Sequence, residues 1–245
     1  MKHTAPLPQR LLALDTSTDR LSVAVGAGQV WTHEGAGGAA ASASLIPAIL
    51  QLLQQAGLAV TQLDAIAVGI GPGSFTGLRT ACAVAQGLAL GADLPVLPIS
   101  TLLAVAEDWR AQHAAPQTAG SVWALLDARM NEIYAAHWQW QTDEDGTVQW
   151  QCLHTPVLVA PENLLALPGL QAGAHMAGNV QAVYGERLPL PIAPAWPTAA
   201  ALLRLAPQLW QQGLAVDAAL LIPHYVRDKV AQTTAERLAQ KSGAA

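Results

Sequence analysis

The chain has 245 residues, of which 52% are hydrophobic and 12% charged, and its formal net charge is −5. This composition argues against a disordered chain, and the length suits one large domain or two small ones. The acidic balance argues against a protein that holds nucleic acid through a basic face of its own. The charged fraction is below the usual value of about 25%, so we expect part of the surface to meet a partner.

The sequence contains no pattern that predicts a targeting segment or a metal site. Residues 1–10 contain no apolar run of signal-peptide length, so we expect a cytoplasmic protein that does not associate with membranes. Cys82 and Cys152 form no CxxC pair, which argues against a zinc ribbon or a redox motif. No two of the seven histidines are three or four positions apart, so no helix presents a paired-histidine site.

The first half of the chain alternates between strand and helix patterns. Five short apolar runs predict strands, at 11–14, 21–25, 29–33, 63–69 and 96–99. Three segments with helical spacing predict helices, at 42–56 with Gly57 as the C-cap, at 80–90 and at 101–110. This alternation predicts a mostly parallel or mixed sheet covered by helices.

The second half repeats the opening pattern after a helix-poor stretch at 111–120. An apolar strand again leads into an aspartate and a turn, and Asp127 corresponds in this way to Asp15. The repeat favours a duplicated unit, although the same pattern occurs in ordinary hairpins. Further strands are predicted at 132–137, 138–141, 147–153 and 175–177, and helices within 156–167, at 198–212 and in the charged tail that follows residue 227.

The strongest local signal is a glycine-rich loop before the second helix. It contains Gly71, Gly73, Ser74, Thr76 and Gly77. Either hydroxyl could cap the helix, free N–H groups at a helix start attract anions, and the glycines permit close backbone approach. No Gly-Lys-Ser/Thr follows, so the loop is not a Walker A motif. A structural turn with a capped helix and an anion site both remain open.

The turn after the first strand offers a second candidate site. Asp15, Thr16 and Ser17 present hydroxyl and N–H groups that could hold a phosphate, with Asp15 orienting a water or Mg²⁺. The alternative is an Asx-type turn that satisfies its own backbone. Glu132 and Tyr134 share one face of the predicted strand after Asp127, and they are either functional or simply exposed.

The helix after the glycine-rich loop is rich in small residues. Each glycine costs a helix about 1 kcal/mol relative to alanine, and Gly87 and Gly91 lie within it. Small side chains allow close approach of a neighbouring element. We therefore expect this helix to pack tightly, either on the sheet of its own domain or against a helix of a partner.

Five stretches together resemble the TsaB (YeaZ) family, from about residue 11 to 231. They are Leu-Ala-Leu-Asp-Thr-Ser-Thr at 12–18, Gly-Ile-Gly-Pro-Gly-Ser-Phe-Thr-Gly-Leu-Arg at 69–79, Ala-Gln-Gly-Leu-Ala at 85–89, Leu-Asp-Ala-Arg-Met-Asn-Glu-Ile-Tyr at 126–134 and Pro-His-Tyr-Val-Arg at 223–227. The resemblance implies a duplicated α/β fold of the actin-like (ASKHA, ribonuclease H-like) type, with two lobes of mixed sheet and flanking helices. We place the N-terminal lobe at 1–106 and the C-terminal lobe at 107–245, with the C-terminal helix packing back on the first lobe.

The resemblance also implies a function and partners. The family supports synthesis of N6-threonylcarbamoyladenosine beside the anticodon of tRNA, in which the catalytic paralogue TsaD transfers the threonylcarbamoyl group. The implied partners are TsaD, the ATPase TsaE and, without TsaD, a second copy, with tRNA contacted only indirectly. The partner interface is expected on the helices of the N-terminal lobe, at Leu45, Ile49, Arg79, Thr80, Ala83, Val84 and Gly87.

The residues themselves agree with an accessory role. The catalytic paralogue carries a His-x-x-x-His pair on its first N-lobe helix, whereas residues 39–47 here contain no histidine. The second phosphate turn, residues 127–131, carries side chains where a nucleotide would need room. We predict no catalytic residue, no metal and no cofactor, and we do not expect nucleotide binding. The degenerate phosphate-loop positions are Asp15, Thr16, Ser17, Gly71, Gly73, Ser74, Thr76, Gly77, Asp127 and Arg129. The alternative is an actin-fold ATPase or kinase that uses Asp15 and the glycine-rich loop.

Overall fold

The computed structural model describes residues 6–115, 118–171 and 173–227. Its first sheet contains five strands in the order β3-β2-β1-β4-β5. The strands are β1 Arg10–Asp15, β2 Arg20–Ala27, β3 Gln29–Ala36, β4 Ala65–Gly71 and β5 Val96–Ser100. The first three form an antiparallel meander, and β4 and β5 continue in parallel from β1. Strands β1 and β4 are buried on both faces, which explains their continuous apolar sequences.

The second sheet repeats this plan. Its strands are β6 Gly120–Asp127, β7 Ile133–Thr142, β8 Val148–Val159, β9 His175–Gly178 and β10 Ala193–Pro194, in the order β10-β9-β6-β7-β8. Again the first three strands are antiparallel neighbours and the last two run parallel to the first. Each strand of one sheet therefore has a counterpart at the same place in the other. The predicted duplicated fold with two mixed sheets is confirmed.

Five α-helices flank the sheets in the described ranges. They are α1 Ala41–Ala56, α2 Phe75–Ala92, α3 Thr101–His113, the single turn α4 Gln181–Tyr184, and α5 Ala199–Gln211. Helices α1 and α2 share one core with the first sheet. Helices α3 and α5 share a second core with both sheets, in which Trp109 and Leu205 of these helices join Ala13 of β1 and Leu126 of β6. The two lobes are therefore joined by a common apolar layer.

Several predicted boundaries are confirmed by the caps that set them. Gly57 ends α1 with φ 68° in the left-handed region, and Ser74 begins α2 by accepting a hydrogen bond from Gly77 N. Thr198 caps α5 in the same way, through Ala201 N. Helix α2 starts earlier than predicted because the cap lies at Ser74.

Two predicted segments differ from the structure. The helix expected within 156–167 is a 3₁₀ segment, Pro161–Ala166, and β8 extends to Val159 before it. The predicted lobe boundary at 106 falls inside α3, so the division into lobes stays a prediction. The predicted C-terminal helix after residue 227 lies outside the described residues. No helix in the described ranges is long and apolar enough to cross a membrane.

Candidate functional site

A cleft of about 530 Å³ lies between the two lobes, where the turns that follow β1 and β6 face each other. Four segments supply most of its walls. They are the first turn at 17–20, the glycine-rich loop at 72–75, the second turn at 126–130, and the chain at 224–227. The two turns predicted from the repeated pattern and the glycine-rich loop are thus brought together.

Asp15 lies beneath this cleft and points away from it. Its side chain is 1% exposed, and Oδ1 accepts hydrogen bonds from Ser17 N at 2.8 Å and Ser17 Oγ at 2.6 Å. The other oxygen, Oδ2, is buried without a hydrogen-bond partner and faces Gly69 of β4, where any Cβ would overlap it. Burial raises the pKa of Asp15 to about 7. This geometry is the Asx-type turn, and the carboxylate is not presented to a ligand in the cleft.

The glycine-rich loop packs directly on the first turn. Ser74 N donates to Ser17 O at 2.7 Å, and Thr16 Oγ1 donates to Gly77 O at 2.7 Å. A Cβ on Gly73 would lie 2.6 Å from Ser17 O, and one on Gly77 would overlap Thr16 O. The space that these glycines leave is therefore occupied by backbone atoms of the protein's own first turn. The geometry favours the structural turn with a capped helix over an anion site.

The second turn is crowded, as its sequence predicts. Arg129, Met130 and Asn131 all lie in the left-handed region, with φ values of 60°, 55° and 60°. Such conformations are costly for residues with a Cβ, so neighbouring contacts must hold the turn. Asp127 Oδ1 accepts from Arg129 N at 2.9 Å and from Tyr184 Oη at 2.7 Å. The Arg129 and Met130 side chains line the cleft.

Arg227, at the end of the described chain, binds this second turn. Its Nη2 donates to Ala128 O at 3.2 Å and pairs with the carboxylate of Glu132. Tyr134 is buried and lines the cleft beside it. Sequence reasoning gave Glu132 no partner, because the two residues are far apart in the chain. The only available signal was the 223–227 stretch that carried part of the family resemblance.

Helix α2 presents small residues on its outer face. Ala83 and Gly87 are exposed, and a Cβ on Gly87 would meet nothing within 4 Å. Thr76 is exposed in the first turn of the helix, and its carbonyl accepts from Thr80 Oγ1 at 3.0 Å. Thr80 and Val84 are only half-buried. This face is open in the structure of the single chain.

Arg79 is exposed but held at the edge of α2. Its Nε donates to Tyr225 Oη at 3.0 Å, and its guanidinium lies 3.9 Å from the ring centroid of Phe75. The rings of Phe75 and Tyr225 are themselves 5.4 Å apart between centroids. The predicted partner residue Arg79 is thus already engaged with the C-terminal segment of its own chain.

The prediction that Leu45 and Ile49 contact a partner directly is wrong. Both are in the core under α1, 0% and 1% exposed. Their helical spacing marks the face that packs on the sheet, so the outward face carries different residues. Ile46 and Leu50 are the exposed large apolar residues of α1, at 47% and 55%.

Comparisons with known proteins find matches to TsaD and to TsaB. A family model described as TsaD, tRNA N6-adenosine threonylcarbamoyltransferase, matches residues 36–177. The tRNA threonylcarbamoyladenosine biosynthesis protein TsaB of Haemophilus influenzae is 36% identical, over 90% of this chain and 94% of its own. The chain belongs to the TsaB family. TsaB of Escherichia coli is 39% identical over 62% of this chain and 63% of its own.

A solved structure of a TsaB-family protein has the same fold. YeaZ from Pseudomonas aeruginosa superposes with a TM-score of 0.74 at 35% identity, covering 89% of this chain and 99% of that one. The TsaB relatives are named for tRNA threonylcarbamoyladenosine biosynthesis, and the chain is a member of that biosynthetic family. Among the described residues, no group of three or more His, Cys, Asp or Glu side chains could hold a metal ion.

The buried carboxyl of Asp15 predicts a pH-dependent stability. Its pKa rises from 3.8 to about 7 on folding, so the folded state holds a proton that the unfolded chain releases. The contribution of Asp15 to the free energy of unfolding is therefore fully present below pH 4, and it is lost as the pH rises through 7. Compared with Asp15→Asn, which cannot ionise, the wild-type chain should lose about 2 to 3 kcal/mol of unfolding free energy between pH 5 and pH 8.

Urea unfolding at both pH values measures this difference directly. Other titrating groups are common to both proteins, so their contributions cancel in the comparison. Parallel pH profiles for wild type and Asp15→Asn would show that the carboxyl is solvated and able to face a ligand.

Proposed function

We propose that the chain is a non-catalytic scaffold subunit in the synthesis of N6-threonylcarbamoyladenosine in tRNA. It docks on TsaD through α1 and α2 and supports transfer of the threonylcarbamoyl group to the adenosine next to the anticodon. TsaE joins this complex, a second copy occupies the same surface when TsaD is absent, and tRNA is contacted only indirectly. The observation that carries the proposal is the apolar outer face of α1 and α2.

This face has the composition of an interface. Ile46 and Leu50 project from α1, and Leu90 is exposed near the end of α2. Between them Ala83 and Gly87 leave the α2 backbone accessible, which allows a second helix to approach closely. Exposed apolar patches mark association sites on soluble proteins. The low overall charge of the chain supports the same assignment.

The groups that a phosphotransferase of this fold would use are occupied by other contacts. Asp15 points inward, and its pKa of about 7 leaves a large fraction protonated at neutral pH. Gly73 and Gly77 pack on the first turn, and Met130 projects from the second turn into the cleft. These contacts support an accessory subunit over the alternative of an ATPase or kinase.

A reconstitution with TsaD, TsaE, tRNA and threonylcarbamoyl-AMP tests the proposal. We expect efficient modification of tRNA only when this chain is present, and its omission should reduce the rate by roughly tenfold or more, which corresponds to at least about 1.4 kcal/mol. The chain alone should modify no tRNA. The Asp15→Asn variant should support TsaD as well as wild type does, because Asp15 is not required for chemistry. Full modification by TsaD and TsaE without this chain would contradict the scaffold role.

Calorimetry with Mg-ATP separates the scaffold from the ATPase. We expect the isolated chain to give no saturable heat at millimolar nucleotide, since the Asp15 carboxylate is buried and does not line the cleft. A steady-state phosphate-release assay on the same protein provides the second measurement. Saturable binding that is lost in Asp15→Asn, together with turnover, would support the ATPase instead.

A further inference from the structure

A C-terminal segment, residues 216–227, crosses α2 on its way from the first lobe to the second, and we call it the strap. It starts on the edge of the first sheet, where Val216 and Val96 exchange backbone hydrogen bonds of 2.8 and 2.9 Å. Gln86 Nε2 of α2 then donates to the carbonyls of Ala218 at 3.1 Å and Leu221 at 2.9 Å. The strap is therefore held to α2 through its backbone.

The strap follows one side of α2. Phe75, Arg79 and Gln86 are spaced by four and seven positions, which places them along the same side of a helix. The first two contact Tyr225 of the strap, and the third bonds its carbonyls. On the opposite side of α2, Val84 packs into the core to which α1 also contributes. The small-residue face of α2 consequently lies between α1 and the strap.

Both edges of this small-residue face carry exposed apolar side chains. Leu220 and Ile222 of the strap are 68% and 72% exposed, the highest values for large apolar residues in the described part of the chain. The backbone between them is fixed by the bond from Gln86 to Leu221 O, so a structured segment presents them. Ile46 and Leu50 stand on the α1 edge. Exposed apolar side chains thus stand on both sides of Ala83 and Gly87, an arrangement that suits a helix laid along α2.

We propose that Leu220 and Ile222 belong to the surface that TsaD covers, with a TsaD helix lying over Ala83 and Gly87 between α1 and the strap. This inference rests on the proposed function. TsaD is favoured as the occupant because its family model matches residues 36–177, so it has counterparts of α1 and α2 that can pack on these helices. The strap lies outside that match and adds contacts from this chain's side.

The far end of the strap is anchored in the second lobe. The Arg227 side chain is 12% exposed, bonds Ala128 O and pairs with Glu132. Arg227 is therefore a positioning residue for this surface, because it holds the strap against the second turn without lying on the α2 face. Its removal should loosen the strap and weaken docking while leaving Leu220 and Ile222 in place.

Calorimetric titration of full-length variants into TsaD tests this surface. The double variant Leu220→Glu/Ile222→Glu should bind TsaD at least tenfold more weakly, because charged side chains would be buried at the contact. Leu165→Glu, an exposed leucine on the 3₁₀ segment of the second lobe, is the matched control and should bind like wild type. Arg227→Gln should weaken binding several-fold and increase amide hydrogen exchange in the strap, for example at His224 N, which donates to Ile70 O.

The outcomes separate this inference from the proposed function. If Ala83→Arg abolishes TsaD binding but the double glutamate variant binds normally, the strap lies outside the interface and the inference is overturned, while the proposed function stands. If the wild-type chain does not bind TsaD, both are overturned. If sedimentation shows that the double variant loses self-association yet keeps TsaD affinity, the strap serves contact between copies and the inference is likewise overturned.

Discussion

Replacing Glu107 by alanine is expected to lower the free energy of unfolding by about 3 to 5 kcal/mol, the usual cost of breaking a buried ion pair. The Glu107 side chain is 2% exposed. It accepts hydrogen bonds from Arg110 at 2.7 and 2.9 Å, from Arg204 Nε at 2.6 Å and from Trp150 Nε1 at 3.2 Å. Its removal leaves the largely buried guanidinium of Arg110 and the indole N–H of Trp150 without their acceptor.

Urea unfolding followed by tryptophan fluorescence measures this loss. Glu162→Ala is the matched control, because Glu162 pairs with Arg187 at 2.7 Å on the surface, where solvent screens ion pairs and they contribute little to stability. Equal losses in the two variants would mean that solvent reaches Glu107 and that its network is not part of the core.

The large effect follows from where this carboxylate lies. Glu107 belongs to α3 and joins α5 and β8 through its partners, and α3 and α5 lie in the core shared by both sheets. The next residue, Asp108, accepts from Thr198 Oγ1 at 2.9 Å at the start of α5. The lobes therefore share a polar network as well as an apolar layer. The proposed scaffold role would benefit from these contacts, because they oppose relative movement of the lobes.

The sequence predicted those elements whose signals are local. The alternation of strand and helix and the caps at Gly57, Ser74 and Thr198 all depend on neighbouring residues. The duplicated pattern around Asp15 and Asp127 was visible for the same reason, and the matching strand orders confirm it.

Features that depend on distant contacts were not predictable. Asp15 can point inward because Gly69 on β4 leaves room for its carboxylate. The ion pair between Glu132 and Arg227 joins segments far apart in the chain. Leu45 and Ile49 illustrate a different error. Their periodicity identified the helix, but that same periodicity marks the buried face, so they could not also be the residues a partner meets.

Replacing Gly87 by arginine is expected to stabilise this chain and to abolish the proposed pairing with TsaD. A Cβ on Gly87 meets nothing within 4 Å, and arginine is a better helix former than glycine by up to about 1 kcal/mol. The unfolding free energy should therefore rise slightly. The same long charged side chain would hold a partner helix away from the α2 backbone, and we expect affinity to fall by roughly 100-fold or more, about 2.7 kcal/mol.

The prediction is specific because the unfolding free energy should rise while the affinity for TsaD falls. A variant that fails to bind because it unfolds would lose stability as well. Thermal unfolding and calorimetric titration with TsaD are measured on the same preparation. Gly87→Ala should keep most of the affinity, because a methyl group still permits close helix approach, and Ala111→Arg on the exposed end of α3 should bind normally. Undiminished binding by Gly87→Arg would place the partner on another face of the molecule, because no helix could lie over this position and accommodate an arginine beneath it.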